Sequence, residues 1–219
     1  MHYHRIPALS LDRPERVCFL LHGAYQSAQS FLEEGFVSCF QALDPGCELV
    51  LLEAHAQYYL EQNLVDPLHT AIQGILAELP ARIPAQLLGI SMGGYGALRY
   101  VMAKAPAFDQ ILLLAPFLGE RRTWLSIKAQ GGLGAWQPPA ALTAQDDSDL
   151  WAWLQDPAHR CPLVLGYGRQ DRFNRSHQLL AEALAPTQVI CQEGDHDWTS
   201  WKQLLPDMLK VAQGIHRRG

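Results

Sequence analysis

Six short apolar runs punctuate the chain: VCFLLH at 17–22, ELVLLEA at 48–54, QLLGIS at 86–91, DQILLLAP at 109–116, PLVLGYG at 162–168 and QVICQEG at 188–194. Each has the length of a strand and is apolar nearly throughout instead of alternating, as strands buried on both faces are. Between them, apolar positions recur at helical spacing. Residues 27–43 put Phe31, Leu32, Phe36, Cys39, Phe40 and Leu43 on one stripe, and residues 64–83 do the same with Leu68, Ile72, Ile75, Leu76 and Leu79. Further helices are expected at 93–104, around 176–185 and at 198–214, with Pro106, Pro186 and Pro206 marking ends or first turns. This alternation predicts one α/β domain over 1–219, a three-layer α/β/α arrangement with helices on both faces of a mainly parallel sheet. Ligand sites in such sheets lie beyond the C-terminal strand ends.

The rhythm breaks once, over 119–160, which is longer than ordinary connections and holds Trp124, Trp136, Trp151 and Trp153. A sheet-covering helix is expected at 148–155. What remains is too short for a large helical cap, so a small lid or none is expected.

Composition narrows the function classes. A 48% apolar and 18% charged chain is globular, and a formal net charge of −5 offers no basic field for nucleic acid. The first residues lack the apolar core of a secretory signal, and the longest apolar stretch, ILLLAPFL at 111–118, is too short to cross a bilayer. Five cysteines, Cys18, Cys39, Cys47, Cys161 and Cys191, are odd in number and scattered, which suits free thiols in a reducing compartment. The expectation is a cytoplasmic protein with no membrane or nucleic-acid partner; oligomeric state is left open.

Candidate chemistry centres on Ser91 in GISMG, 89–93. It directly follows a buried-strand pattern and opens a helix pattern containing GGYGAL, so it sits where a nucleophile on a tight strand-to-helix turn would sit. Such a turn needs small neighbours and aims the N–H of Met92 at an oxyanion formed on the serine. A base and an orienting acid must accompany it. His196 in EGDHDW lies just past the last strand pattern, and Asp171 in GYGRQDRF just past the one before. Asp195 and Asp197 flank His196, but adjacent side chains rarely face each other, and Asp197 is placed to cap the helix beginning near Trp198. The second oxyanion N–H is expected from the loop after the first strong strand, HGAY: from Ala24, with Tyr25 as alternative donor or pocket wall. His22 would hold that loop by hydrogen bonding. No histidine or cysteine pair has zinc spacing, so no metal is expected, and acyl transfer through a serine needs no organic cofactor.

Together LLHGAY, GISMGGYGAL, GRQDRF and GDHDWTSW resemble the serine hydrolases of the α/β-hydrolase fold, in their esterase and acyl-thioesterase branch, from about Val17 to about Leu209. The resemblance implies Ser91 as nucleophile, His196 as general base and then acid, Asp171 as orienting acid, and Ala24 and Met92 as oxyanion donors. It also implies an N-terminal antiparallel strand pair, for which the residues before Val17 leave little room, so a trimmed edge is expected. The substrate would be a small-molecule ester or thioester of a small to medium acyl group, lined by Tyr25, Met92, Phe117, Phe173 and Trp198. An acyltransferase using the same acyl-serine and a catalytically silent binding protein are the alternatives.

Overall fold

In the computed structural model, which describes residues 1–9, 13–79, 83–105, 108–156 and 161–216, the six apolar runs are six parallel strands. They are β2 (Arg16–Leu21), β3 (Cys47–Leu52), β4 (Ala85–Ile90), β5 (Gln110–Leu114), β6 (Leu163–Gly168) and β7 (Val189–Gln192). β3 to β6 are buried along their whole length, which is why their sequences do not alternate. A further strand, β1 (Tyr3–Ile6), is polar and mostly exposed and gives no apolar signal. It pairs antiparallel with β3, and Arg5 there meets Glu48 and Glu78 at 2.6 Å each, a charged edge of the kind that discourages pairing with other chains. Among the described residues the sheet order is β1-β3-β2-β4-β5-β6-β7. The N-terminal edge therefore carries one antiparallel strand.

Alternate residues of the strands feed two cores. Val17, Phe19 and Leu21 face one core with α4 (Val65–Glu78), α5 (Met92–Lys104), α7 (Ser148–Gln155) and α8 (Asn174–Glu182). Cys18 and Leu20 face the other, with α2 (Phe36–Leu43) and α9 (Trp198–His216). The expected helix at 148–155 is α7. Burial pushes the Cys18 and Cys47 thiols up, consistent with their use as small packing groups, and all five cysteines are free.

Three expectations need correction. The stripe over 27–43 is not one helix: α1 (Ser30–Glu33) and α2 are separated at Gly35, whose φ of +72° ends helical geometry. Phe31, Phe36 and Phe40 are buried, but Leu32 and Leu43 face solvent. Pro206 lies inside α9 and does not mark an end. A proline there costs about 3 kcal/mol in an isolated helix, and burial of Trp201, Leu204, Leu205, Met208 and Leu209 against the sheet outweighs it. The apolar pattern also gave no sign of α3 (Ala56–Leu60) or α6 (Arg121–Ala129). Pro186 does open a short 3-10 turn, and Pro106 lies outside the described residues.

Candidate active site

Ser91 stands between β4 and α5 with φ +52° and ψ −114°, a conformation that costs a non-glycine residue about 1–3 kcal/mol. The surroundings over-determine it. Its N–H donates to the Leu114 carbonyl (3.0 Å), while its own carbonyl accepts from Phe117 N–H (2.8 Å), Gly94 N–H (3.0 Å) and Tyr95 N–H (3.2 Å). The glycines of the motif permit the turn: a Cβ on Gly93 would lie 2.1 Å from the Leu21 carbonyl oxygen, and one on Gly89 2.4 Å from the Gly93 carbonyl oxygen. Strand β2, strand β4 and helix α5 thus meet with no room for a methyl group.

The three motif residues converge. His196 Nε2 lies 2.9 Å from Ser91 Oγ, and His196 Nδ1 lies 2.7 Å from Asp171 Oδ2. Asp171 is buried at 4% exposure, and its other oxygen accepts the Phe173 N–H (2.7 Å), so the carboxylate is fixed at both ends. With Asp171 accepting at Nδ1, the neutral imidazole carries its proton there and turns a lone pair toward the serine hydroxyl. Phe173 and Trp201 pack edge-on against the ring from 5.1 and 5.2 Å. Asp197 is not turned to His196 but caps α9, accepting the Ser200 N–H (2.8 Å), and that bond holds its carboxyl below the usual range.

The loop after β2 comes beside the serine: a Cβ on Gly23 would lie 3.4 Å from Ser91 Cβ. Ala24, Tyr25 and Met92 line one cavity of about 330 Å³, together with Ala54, Ala56 and Leu60. Met92 opens α5, so its N–H has no acceptor within the helix. Tyr25 is fully exposed, with φ +61°. His22 is buried; its Nδ1 donates to the Gly23 carbonyl (2.8 Å), and its Nε2 lies 3.1 Å from both the Ala54 nitrogen and Glu53 Oε1. That is the loop-holding part the sequence suggests. Glu53 adds to it by accepting the Ala28 N–H (2.9 Å). The sequence hint for Glu53 is a carboxylate closing an otherwise apolar strand run.

Phe117 and Phe173 meet edge to face at 5.6 Å and line a second cavity, to which Asp171 also contributes. Trp198 is elsewhere, packed on Phe31, Phe36 and Trp201, one aromatic ring removed from His196. Sequence reasoning did not find the arginines of the second cavity, Arg121, Arg172 and Arg175, because nothing in their spacing unites them.

The family model described as "Putative esterase" matches residues 46–212, most of the chain and all three converging residues. No curated protein matches the chain. Among solved structures, Est1E from Butyrivibrio proteoclasticus superposes with a TM-score of 0.65 at 14% identity, covering 99% of this chain and 93% of that one. The S-formylglutathione hydrolase FrmB from Staphylococcus aureus gives 0.62 at 16% identity, over 95% and 82%. A monoacylglycerol lipase from Paleococcus ferrophilus gives 0.60 at 14% identity, over 100% and 99%. At these identities the likeness is one of fold, the α/β-hydrolase fold.

Proposed function

The chain belongs to the esterase family whose model spans residues 46–212 and is a hydrolase acting on ester bonds; from that premise we propose that Ser91 is its nucleophile, His196 its general base and acid, and Asp171 the orienting acid. One observation carries the assignment: the unbroken chain from Ser91 Oγ through His196 to the buried Asp171, at 2.9 and 2.7 Å.

In the reaction we propose, Ser91 Oγ attacks the carbonyl carbon of an ester or thioester as its proton passes to His196 Nε2. The N–H groups of Met92 and Ala24 receive the oxyanion, a contribution whose loss can cost about 3 kcal/mol in comparable sites. The bond to the leaving oxygen or sulfur then breaks, and that atom takes the proton from His196. Water attacks the acyl-serine, giving a proton to His196; the bond to Oγ breaks, and Oγ takes the proton back. The positive charge that His196 carries in each transition state lies against Asp171.

The apolar cavity beside Ala24 and Met92 suits a small to medium acyl group. We place the enzyme in the cytoplasm as a single domain over 1–219, a reading supported by its five free thiols and by the two cores that share one sheet. Among the described residues no helix is long and apolar enough to cross a membrane.

The test is the intact mass after treatment with a fluorophosphonate, comparing the parent with Ser91→Ala. A single adduct on the parent and none on the folded variant is the expected result. An adduct on both, or a variant that still cleaves esters at the parent rate, overturns the assignment.

A further inference from the structure

The second cavity, about 660 Å³, lies between the start of α6 and the start of α8. Three of its lining side chains are arginines: Arg121, Arg172 and Arg175. None of them makes an ion pair with a carboxylate among the described residues, whereas Arg5, Arg16 and Arg99 each do. Against them stand Glu120 and Asp171, and Asp171 is already committed to His196. In a chain of net charge −5 this is a local excess of unneutralised positive charge.

Its position relative to the triad gives it a use. The atom that leaves must take its proton from His196 Nε2, so the leaving group lies on the histidine's side of Ser91. Phe173 packs against the His196 ring, and Phe173 and Asp171 are both walls of the arginine cavity. The Arg172 guanidinium sits 4.9 Å over the Phe173 ring, held at the wall nearest the histidine. Arg121 lies 6.0 Å over Trp124, another of the lining residues. Ala24 and Met92, the proposed oxyanion donors, line the other, apolar cavity. A substrate whose acyl group occupied the Ala24 side would place its leaving group toward the arginines.

We propose that the arginine cavity is a leaving-group subsite, and that the alcohol or thiol released by this enzyme carries an oxyanion, a carboxylate or phosphate head, bound by Arg121, Arg172 and Arg175. The inference rests on the proposed triad. A guanidinium fork matches either head in geometry and charge, and charge-assisted bonds are the strong class.

Three aryl butyrates with one acyl group separate the possibilities: 4-(carboxymethyl)phenyl, 4-(phosphonomethyl)phenyl and the neutral 4-(carbamoylmethyl)phenyl butyrate. The expected result is a kcat/KM about tenfold or more higher for at least one anionic ester than for the amide, and the better of the two anions names the head group. That ratio should fall toward one in the combined variant Arg121→Gln, Arg172→Gln, Arg175→Gln, and in the parent as salt is raised from about 0.05 to about 0.5 M. Arg122→Gln, outside the cavity, should keep the preference. A parent ratio of one or less, with Ser91 still labelled by fluorophosphonate, overturns the subsite and leaves the triad standing. A preference that survives the combined variant and high salt overturns it as well. An unlabelled serine with none of the three esters cleaved overturns both.

Discussion

At the scale of single residues, what distinguishes the site is how completely each group is held before a substrate arrives. Ser91 keeps a strained φ because four backbone hydrogen bonds, with β5, the segment after it and α5, converge on it. Asp171 is fixed by the Phe173 N–H on one oxygen and His196 on the other. Three aspartates lie within reach of His196 in the sequence, and the structure gives each a different partner: Asp171 the imidazole, Asp197 the Ser200 N–H, Asp195 the His196 N–H. The assignment predicts unequal costs. Asp171→Asn leaves the geometry nearly intact but favours the wrong imidazole tautomer, and turnover should fall by orders of magnitude, about ten-thousandfold in comparable triads. Asp197→Asn keeps a competent cap and should leave kcat/KM within about twofold. Steady-state kinetics of the two variants decide the matter, and the reverse ranking would move the acid to Asp197.

At the scale of elements, legibility in the sequence followed burial. Five of the six parallel strands were readable because both faces are covered, the partly buried β7 was readable from its apolar residues, and the three converging residues stand just past strands that those runs mark. β1 was not, since an exposed edge strand can be polar on both faces. The break at Gly35 escaped because the apolar spacing on either side of it fits one helix by itself, and only the backbone shows the turn between them. Trp198 was expected at the substrate because of its neighbour His196, yet a helix start points successive side chains in different directions, and it faces Phe31 and Phe36. Glycines divide in the same way, by what surrounds them. Gly93→Ala would drive a methyl into the Leu21 backbone, where nothing flexible can yield, and should destabilise the fold by about 3 kcal/mol or more. Gly74, on an exposed face of α4, has no atom of the described residues within 4 Å of where a Cβ would stand, and Gly74→Ala should stabilise by about 0.5–1 kcal/mol. Urea unfolding of both variants tests the contrast, and equal effects would refute it.

At the scale of the whole molecule, the active-site edge is a seam between elements that a single buried histidine helps to close. His177 on α8 is fully buried, and its Nε2 donates to the Pro116 carbonyl (2.8 Å), tying α8 to the segment that follows β5 and carries Phe117. Its other nitrogen, Nδ1, is buried with no hydrogen-bond partner among the described residues. Protonation would therefore bury an unpaired N–H together with a charge. Burial pushes its pKa down from 6.5 to about 4; the Asp171 charge and the Pro116 bond oppose this, and the His196 charge adds to it. The unfolded chain takes up this proton near pH 6.5 and the folded chain only near pH 4, so between those values the unfolded state holds more protons. The stability this group supports is complete above about pH 6.5 and is lost as pH falls toward about 4, by on the order of 3 kcal/mol in all. His177→Gln keeps an amide donor for Pro116 and removes the titration. Unfolding free energies measured by urea from pH 7.5 to pH 4.5 should fall more steeply in the parent than in the variant, by up to about 1.4 kcal/mol per pH unit. Parallel curves would mean that His177 binds its proton equally in both states, and the seam would then owe nothing to its neutrality.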